Sequence, residues 1–141
     1  MAKFKKIADE DGDTMLLDMD NIVGFCYRRR SQEDYTTVPV LFCLFSGHMS
    51  HVGMPQGFDP IVFANEVRER GHQVAFTTDN VSGGVAWLRP DSVLYCTYSA
   101  DEQATHVVLG TRPGIHSHSP AGITIKEPLE DVERTLQGFD L

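Results

Sequence analysis

The sequence has few cysteines, and their arrangement excludes several classes of protein. Cys26, Cys43 and Cys96 are the only three in 141 residues, and none belongs to a CxxC pair. Cysteines of odd number within apolar runs are typical of buried free thiols in a reducing cytoplasm. Structural zinc would require paired spacing. We therefore expect a cytoplasmic protein without a disulfide, a metal site or a cofactor.

Long apolar runs and excess positive charge are also absent. The longest apolar stretches, such as Val40 to Phe45, are far too short to cross a bilayer. The basic N-terminus has no apolar segment behind it, so we do not expect a signal peptide. The net charge of −8 argues against general binding to nucleic acid. The hydrophobic fraction, 41%, is nevertheless that of an ordinary globular chain.

The clearest positive feature is an internal repeat of residues 1–71 in residues 72–141. The beginnings of the two halves align without a gap at an offset of 71, and later blocks align at 67 and 68. The matched pairs include Gly12 with Gly83, Asp20 with Asp91, Tyr27 with Tyr98, Ser50-His51 with Ser117-His118, and Pro60 with Pro128. Two copies are too few for a solenoid, so a pseudo-symmetric pair is the natural interpretation.

Each half predicts the same elements: two short strands, a long strand, a very apolar strand, an extended stretch and a short helix. The long strands, Ile22–Arg28 and Val93–Tyr98, are rich in β-branched and aromatic residues. Pro60 and Pro128 stand where helices begin. We therefore expect an α+β fold, a tandem duplication of a small, mainly antiparallel β unit packed as a pseudo-dimer in one compact domain. The predicted apolar helix faces are Ile61, Ala64 and Val67, and Leu129, Val132 and Leu136.

Two families share features with the chain. The stretch from Leu88-Arg89-Pro90-Asp91-Ser92-Val93-Leu94 through Ile125-Lys126-Glu127-Pro128-Leu129-Glu130-Asp131-Val132, about 45 residues, resembles the small FlbD-type flagellar and swarming proteins. Arg89 stands where that family usually has Asn, and the central hairpin is longer here. This resemblance implies an accessory protein that binds another protein. In size and β-rich character the chain is also similar to phage sponges of the Thoeris anti-defence type. That resemblance implies a non-catalytic oligomer that sequesters a nucleotide signal.

An arginine cluster is the sharpest charge feature. Arg28-Arg29-Arg30 ends a predicted strand, and guanidinium groups hold phosphate oxygens in bidentate geometry. The alternative is a solubilising strand end, and the second half lacks the cluster. Arg112 lies in a glycine-rich hairpin where backbone N–H groups can approach an anion, although a plain hairpin loop serves equally well. Arg89 precedes Pro90, so its backbone is extended and its side chain can reach the same cleft or pair with an acid.

Histidines form the second candidate group. On a strand, His116 and His118 would face the same side, which suits a metal or a phosphate. No cysteine or carboxylate stands close by to complete a zinc site, so a polar loop is the simpler interpretation. The segments 48–50 and 116–119 also contain His-x-Ser elements, as phosphoesterases with two His-x-Ser/Thr motifs do.

We predict a non-enzymatic, cytoplasmic protein that binds and sequesters a small anionic ligand, a nucleotide in the favoured version. Free sheet edges favour homo-oligomerisation. The alternatives are a protein-binding accessory module and a His-dependent phosphoesterase. Tyr27 and Trp87 either pack in the sheet or stack on a base. No catalytic residue is predicted, and the predicted ligand-binding residues are Arg28, Arg30, Arg89, Arg112, His116, His118, Tyr27 and Trp87.

Overall fold

Ten strands, two helices and two 3-10 turns occur within residues 3–45, 48–110 and 121–138, which a computed structural model describes. The first half contains β1 (Phe4–Ala8), β2 (Thr14–Asp18), β3 (Ile22–Arg29), β4 (Thr37–Phe45), β5 (His48–Gly53) and α1 (Pro60–Glu69). The second half contains β6 (Ala75–Thr78), β7 (Val85–Leu88), β8 (Val93–Ser99), β9 (Ala104–Leu109), β10 (Ala121–Ile125) and α2 (Leu129–Gln137). The 3-10 turns, Met19–Asn21 and Pro90–Ser92, lead into β3 and β8. The mixed, strand-rich composition confirms the predicted α+β class, and the same order of elements occurs twice.

Every pair of neighbouring strands is antiparallel. The described residues form a five-stranded sheet (β5-β4-β3-β7-β6), a three-stranded sheet (β10-β9-β8) and the β1–β2 hairpin. A bridge between Asp79 and Ile125 links β6 to β10. The Glu10 N–H donates to the Gly53 carbonyl at 2.9 Å, which links the hairpin to β5. The strands therefore follow one another in space as β2-β1-β5-β4-β3-β7-β6-β10-β9-β8.

The five-stranded sheet separates two apolar cores, as alternation of side chains along its strands requires. One core lies between this sheet, the three-stranded sheet and α2, and it includes Val23, Phe42, Leu88, Leu109, Ile123 and Val132. The other lies beneath α1 and the β1–β2 hairpin, and it includes Leu17, Phe25, Leu41, Met54, Phe63 and Trp87.

A seam between β3 and β7 joins the two halves of the chain. Gly24 lies opposite Leu88, and Phe25 lies opposite Trp87. The Phe25 and Trp87 rings stack with centroids 6.3 Å apart. Glycine is required at position 24 by close packing, because a Cβ there would lie 3.0 Å from Cδ1 of Ile123. Residues 1–71 and 72–141 thus share one sheet.

The helices begin where the prolines predicted. The Asp59 side chain accepts hydrogen bonds from the N–H groups of Ile61 and Val62, and Pro60 is the first residue of α1. The predicted apolar face is only partly right, because Ile61 is 47% exposed while Phe63 is buried. The Phe63 ring contacts Phe58 at 5.3 Å, which turns α1 toward the aromatic core and leaves its first turn at the surface.

In the second helix the predicted face is also only partly buried. Val132 is buried and Leu136 packs against the same core, whereas Leu129 is 37% exposed. Neither helix of the described residues is long and apolar enough to span a membrane.

Charged residues hold the 3-10 turns in place. The Asp20 carboxylate accepts hydrogen bonds from Arg70 at 2.6 and 3.0 Å, and it lies 2.8 Å from Nε2 of His72. Arg70, followed by His72, lowers the pKa of Asp20 far below its usual range. Asp91, the residue 71 positions later, receives Arg89 at 2.9 Å. The repeated aspartates therefore anchor both turns.

Candidate functional site

A cleft of about 620 Å³ opens at the end of β3. Its walls come from four elements that are distant in sequence, so only the folded chain assembles it. Its lining residues are Cys26, Tyr27, Arg28 and Arg29 of β3, Asp79, Asn80 and Val81 after β6, Glu102 before β9, and Gly122 and Thr124 of β10. The volume lies within the range of small-molecule sites.

Arg28 and Arg29 bring positive charge to this cleft. The Arg28 guanidinium carbon lies 5.2 Å from the centroid of the Phe42 ring, and that of Arg29 lies 4.9 Å from the centroid of the Tyr35 ring. Within the described residues, neither arginine forms an ion pair with a carboxylate. Stacking on aromatic rings leaves the guanidinium edges available to accept an anion.

Arg30 behaves differently from its two neighbours. Its guanidinium lies 2.7 Å from the Glu10 carboxylate and 4.0 Å from that of Asp34. It lines a second concavity of about 480 Å³, which it shares with Arg28, Arg29 and His51. Because Arg30 is already paired, the prediction that it holds a ligand phosphate is not favoured by its contacts. Arg29, which the prediction left out, lines the cleft instead.

A buried carboxylate forms part of the cleft floor. Asp79 is 1% exposed and accepts hydrogen bonds from the N–H groups of Tyr27 (3.2 Å), Val81 (3.0 Å) and Ser82 (2.7 Å). These bonds fix the turn after β6 against β3. Burial, with a smaller contribution from Asp79, raises the pKa of Cys26 to about 12 and also raises that of Tyr27. The Cys26 thiol therefore stays protonated and is not a nucleophile.

A carboxylate, an imidazole and a hydroxyl form a short chain beside the arginines. Oε2 of Glu102 lies 3.3 Å from Nε2 of His106, and Nδ1 of His106 lies 3.0 Å from Oγ1 of Thr124. His106 and Thr124 are opposite each other in the β9–β10 pair, which brings together residues far apart in sequence. The sequence analysis missed this group because it did not place residues 121–125 in a strand next to β9.

Trp87 and Arg89 are not at the cleft, contrary to the prediction. Trp87 is fully buried in the core beneath α1, so no base can stack on its ring. Arg89 is 8% exposed and donates to the Asp20 carbonyl at 2.7 Å and to Asp91 at 2.9 Å. Its guanidinium is engaged in tethering the two 3-10 turns, which explains why this buried charge is tolerated.

The histidine prediction falls mostly on other parts of the chain. Arg112, His116 and His118 lie outside the described residues. His51 is exposed on β5, with its ring centroid 6.4 Å from that of Phe42. Among the residues that the structure describes, no three His, Cys, Asp or Glu side chains lie close enough together to hold a metal.

No protein-family model matches this chain, and no curated protein or solved structure is significantly similar to it.

Proposed function

We propose that the protein binds a small anionic ligand in the cleft at the end of β3 and sequesters it without chemical change. The observation that carries the proposal is the pair Arg28 and Arg29, two guanidinium groups without a carboxylate partner in the described structure. In a chain with a net charge of −8, two such groups at one cleft are a local exception. They suit the oxygens of a phosphate or pyrophosphate.

A nucleotide is the ligand class that the remaining lining residues favour. Tyr27 offers an aromatic surface, and Asn80 and Thr124 offer hydrogen-bonding groups for a base or a sugar hydroxyl. A buried Asp79 next to the arginines disfavours a ligand with negative charge throughout. A molecule with an anionic part and a neutral, hydroxyl-rich part fits this distribution. A phage sponge for a cyclic or ADP-ribose-type nucleotide would bind such a molecule.

We also propose that the two halves arose by tandem duplication and pack as a pseudo-dimer. The repeated order of elements supports this, and so do β-bulges at Ile22/Gly24 and Val93/Tyr95, which are 71 residues apart. By element order the counterpart of β5 is β10, which begins at Ala121. The offset of 67 that aligned Ser50-His51 with Ser117-His118 would place that counterpart earlier in the chain.

Thermal shift with a nucleotide panel tests the binding proposal. Cyclic dinucleotides, cyclic ADP-ribose, ADP-ribose and inorganic pyrophosphate would each be added over a range of concentrations. At a free ligand concentration one hundred times Kd, binding stabilises the native state by about 2.7 kcal/mol. For a chain of this length that raises Tm by roughly 8 °C. If no compound in the panel changes Tm, and calorimetry detects no heat, the proposal fails.

Arginine variants locate the site. Arg28→Ala and Arg29→Ala should each remove most of the ligand-induced shift, and Arg28→Lys should recover only part because an ammonium lacks the planar fork. Arg134→Ala is the matched control, since Arg134 lies on α2 with its side chain 77% exposed. A ligand shift that survives in the Arg28→Ala/Arg29→Ala double variant would place the site elsewhere.

A hydrolytic function is the second candidate, and the chain Glu102, His106 and Thr124 favours it. Such a carboxylate–imidazole–hydroxyl arrangement can activate the hydroxyl as a nucleophile. The ligand would be incubated with protein, and the mixture analysed before and after heat denaturation. Intact ligand released only on heating supports sequestration. Products that appear before heating, and that disappear with His106→Gln, support the enzyme.

A further inference from the structure

Two strands at opposite ends of the strand series have unpaired edges. β8 pairs with β9 on one side, and β2 pairs with β1 on one side. Within the described residues neither has a partner on its other side. The open backbone groups of such an edge are a template for a further strand.

Both edges are apolar as well as open. On β2, Leu16 is 67% exposed, and it lines an apolar groove of about 420 Å³ together with Phe4, which is 55% exposed. On β8, Tyr95 is 56% exposed and Tyr98 is 46% exposed. Because these side chains are solvent-exposed on strand edges, pairing the edges would remove apolar surface from water.

The seam between β3 and β7 supplies the geometry of the missing contact. β8 follows β3 by 71 residues, and β7 follows β2 by the same distance. Shifting the seam by 71 residues converts the pair Gly24–Leu88 into Tyr95–Leu17, and converts Phe25–Trp87 into Cys96–Leu16. Leu16, the most exposed of these, is therefore the counterpart of the fully buried Trp87.

The edges of β3 and β8 also have the same local shape. Each carries a bulge at its second step, between Ile22 and Gly24 in β3 and between Val93 and Tyr95 in β8. A bulge increases the twist of a strand and directs the residues that follow it. Each strand is also preceded by a 3-10 turn with an aspartate bound by an arginine. β8 thus has the features with which β3 receives β7.

We propose that β8 of one copy of this chain pairs antiparallel with β2 of the next copy, in the register Tyr95–Leu17 and Cys96–Leu16. The occupant of both edges is a second copy because the chain repeats, on its two free strands, the two strands that already pair within it. The contact is head-to-tail, since it uses a different edge from each copy. Such a contact continues until the copies close a ring.

Mass measurement by light scattering after gel filtration tests this assembly. The wild-type chain should have a mass that is a multiple of 15.7 kDa. Leu16→Lys and Tyr95→Lys should each reduce it to a single chain. Ile61→Lys is the matched control, because Ile61 is an exposed apolar residue on α1, away from both edges. A wild-type mass of 15.7 kDa at every concentration up to the millimolar range would overturn the proposal.

Mixing the two single variants tests the head-to-tail arrangement. The Leu16→Lys chain keeps an intact β8, and the Tyr95→Lys chain keeps an intact β2. An equimolar mixture should therefore form a dimer of twice the chain mass, although each variant alone is monomeric. If the mixture stays monomeric while circular dichroism shows both variants folded, the proposed pairing is wrong.

Disulfide trapping tests the register without depending on the lysine variants. A Leu16→Cys/Cys43→Ser chain should form an intermolecular disulfide between position 16 and Cys96 under mild oxidation. Peptide mapping would identify the linked pair. Adding Cys96→Ser should abolish the cross-link. A disulfide within one chain would instead show that β8 and β2 of the same copy pair, and would overturn the intermolecular contact.

Discussion

At the scale of single residues, the arginines of this chain have three different roles that their sequence neighbourhoods do not distinguish. Arg89 is buried and tethers two turns, Arg30 is paired with Glu10, and Arg28 and Arg29 stack on aromatic rings at the cleft. The difference depends on which acids and carbonyls the fold brings close. Sequence correctly pointed to the cluster at the end of β3, but it could not show which guanidinium would be neutralised by Glu10, about twenty residues away.

Replacing Arg89 should cost stability and leave binding unchanged. Arg89→Ala removes the donors that satisfy the Asp20 carbonyl, so we expect the free energy of unfolding to fall by about 1.5–3 kcal/mol. Urea denaturation measures this loss. The ligand-induced increase in Tm at a saturating concentration should match that of the wild-type chain. A variant that is as stable as wild type but no longer binds would return Arg89 to the binding site.

The Asp20 carboxylate should make stability depend on pH. Its pKa is lowered in the folded state, chiefly by Arg70 and then by His72, so the unfolded chain binds a proton more readily. The stabilisation is present above the unfolded pKa of about 3.9 and is lost as pH falls below about 5. Asp20→Asn should therefore lower Tm at pH 7.

The same variant should differ little from wild type at acid pH. As pH falls toward about 3, the Tm difference between Asp20→Asn and the wild-type chain should shrink, because protonation removes the wild-type advantage. Asp131→Asn, at an exposed 3.4 Å pair with Arg134 on α2, is the control and should show a smaller effect at pH 7. A Tm difference that is constant from pH 3 to pH 7 would contradict the role of this ion pair.

At the scale of elements, sequence patterns located most of the strands but not their neighbours. β-branched and aromatic runs predicted β3 as Ile22–Arg28 and β8 as Val93–Tyr98, within one residue of the observed ends. Pro60 correctly marked the start of α1. The pairing of β3 with β7 was not predictable, because such a non-local contact has no local signal. For the same reason Trp87 was predicted at a binding site, although the seam buries it.

The close packing at the seam predicts a sharp difference between two glycine positions. A side chain at position 24 would press on Ile123 and Leu109, with a Cβ at 3.0 and 3.1 Å from their methyl groups. Gly24→Val should therefore destabilise the protein by about 1–3 kcal/mol. Gly122→Ala, whose nearest neighbour would be 3.7 Å away, should cost little. Equal effects of the two substitutions on the urea midpoint would contradict the packing described for β3.

At the scale of the whole molecule, the two halves depend on each other. β7 completes the sheet of the first half, and Trp87 fills the core beneath α1, which belongs to the first half. Thermal unfolding of the full chain should therefore be a single transition, with near- and far-ultraviolet circular dichroism coinciding. Two separate transitions would show that the halves are independent units.

Separated halves should fold only together. The fragment 1–71 lacks the partner of β3 and leaves Phe25 exposed, so we expect it to lack a cooperative transition on its own. Co-expression of fragments 1–71 and 72–141 should give a complex with near-native circular dichroism. Trp87→Ala in the second fragment, which opens a large cavity worth about 3–5 kcal/mol, should prevent the complex from forming. A stable, monomeric fragment 1–71 would contradict this dependence.

The position of β7 in the sheet also sets an order of events during synthesis. The edge of β3 is complete in the nascent chain only after residue 88 has been added, 59 residues after the end of β3 at Arg29. At a translation rate of about 5–20 residues per second, β3 waits roughly 3 to 12 s for its partner. During this interval another nascent chain on the same messenger can offer a strand to that edge. Slow codons between residues 30 and 88 would lengthen the wait and should lower the yield of correctly folded protein.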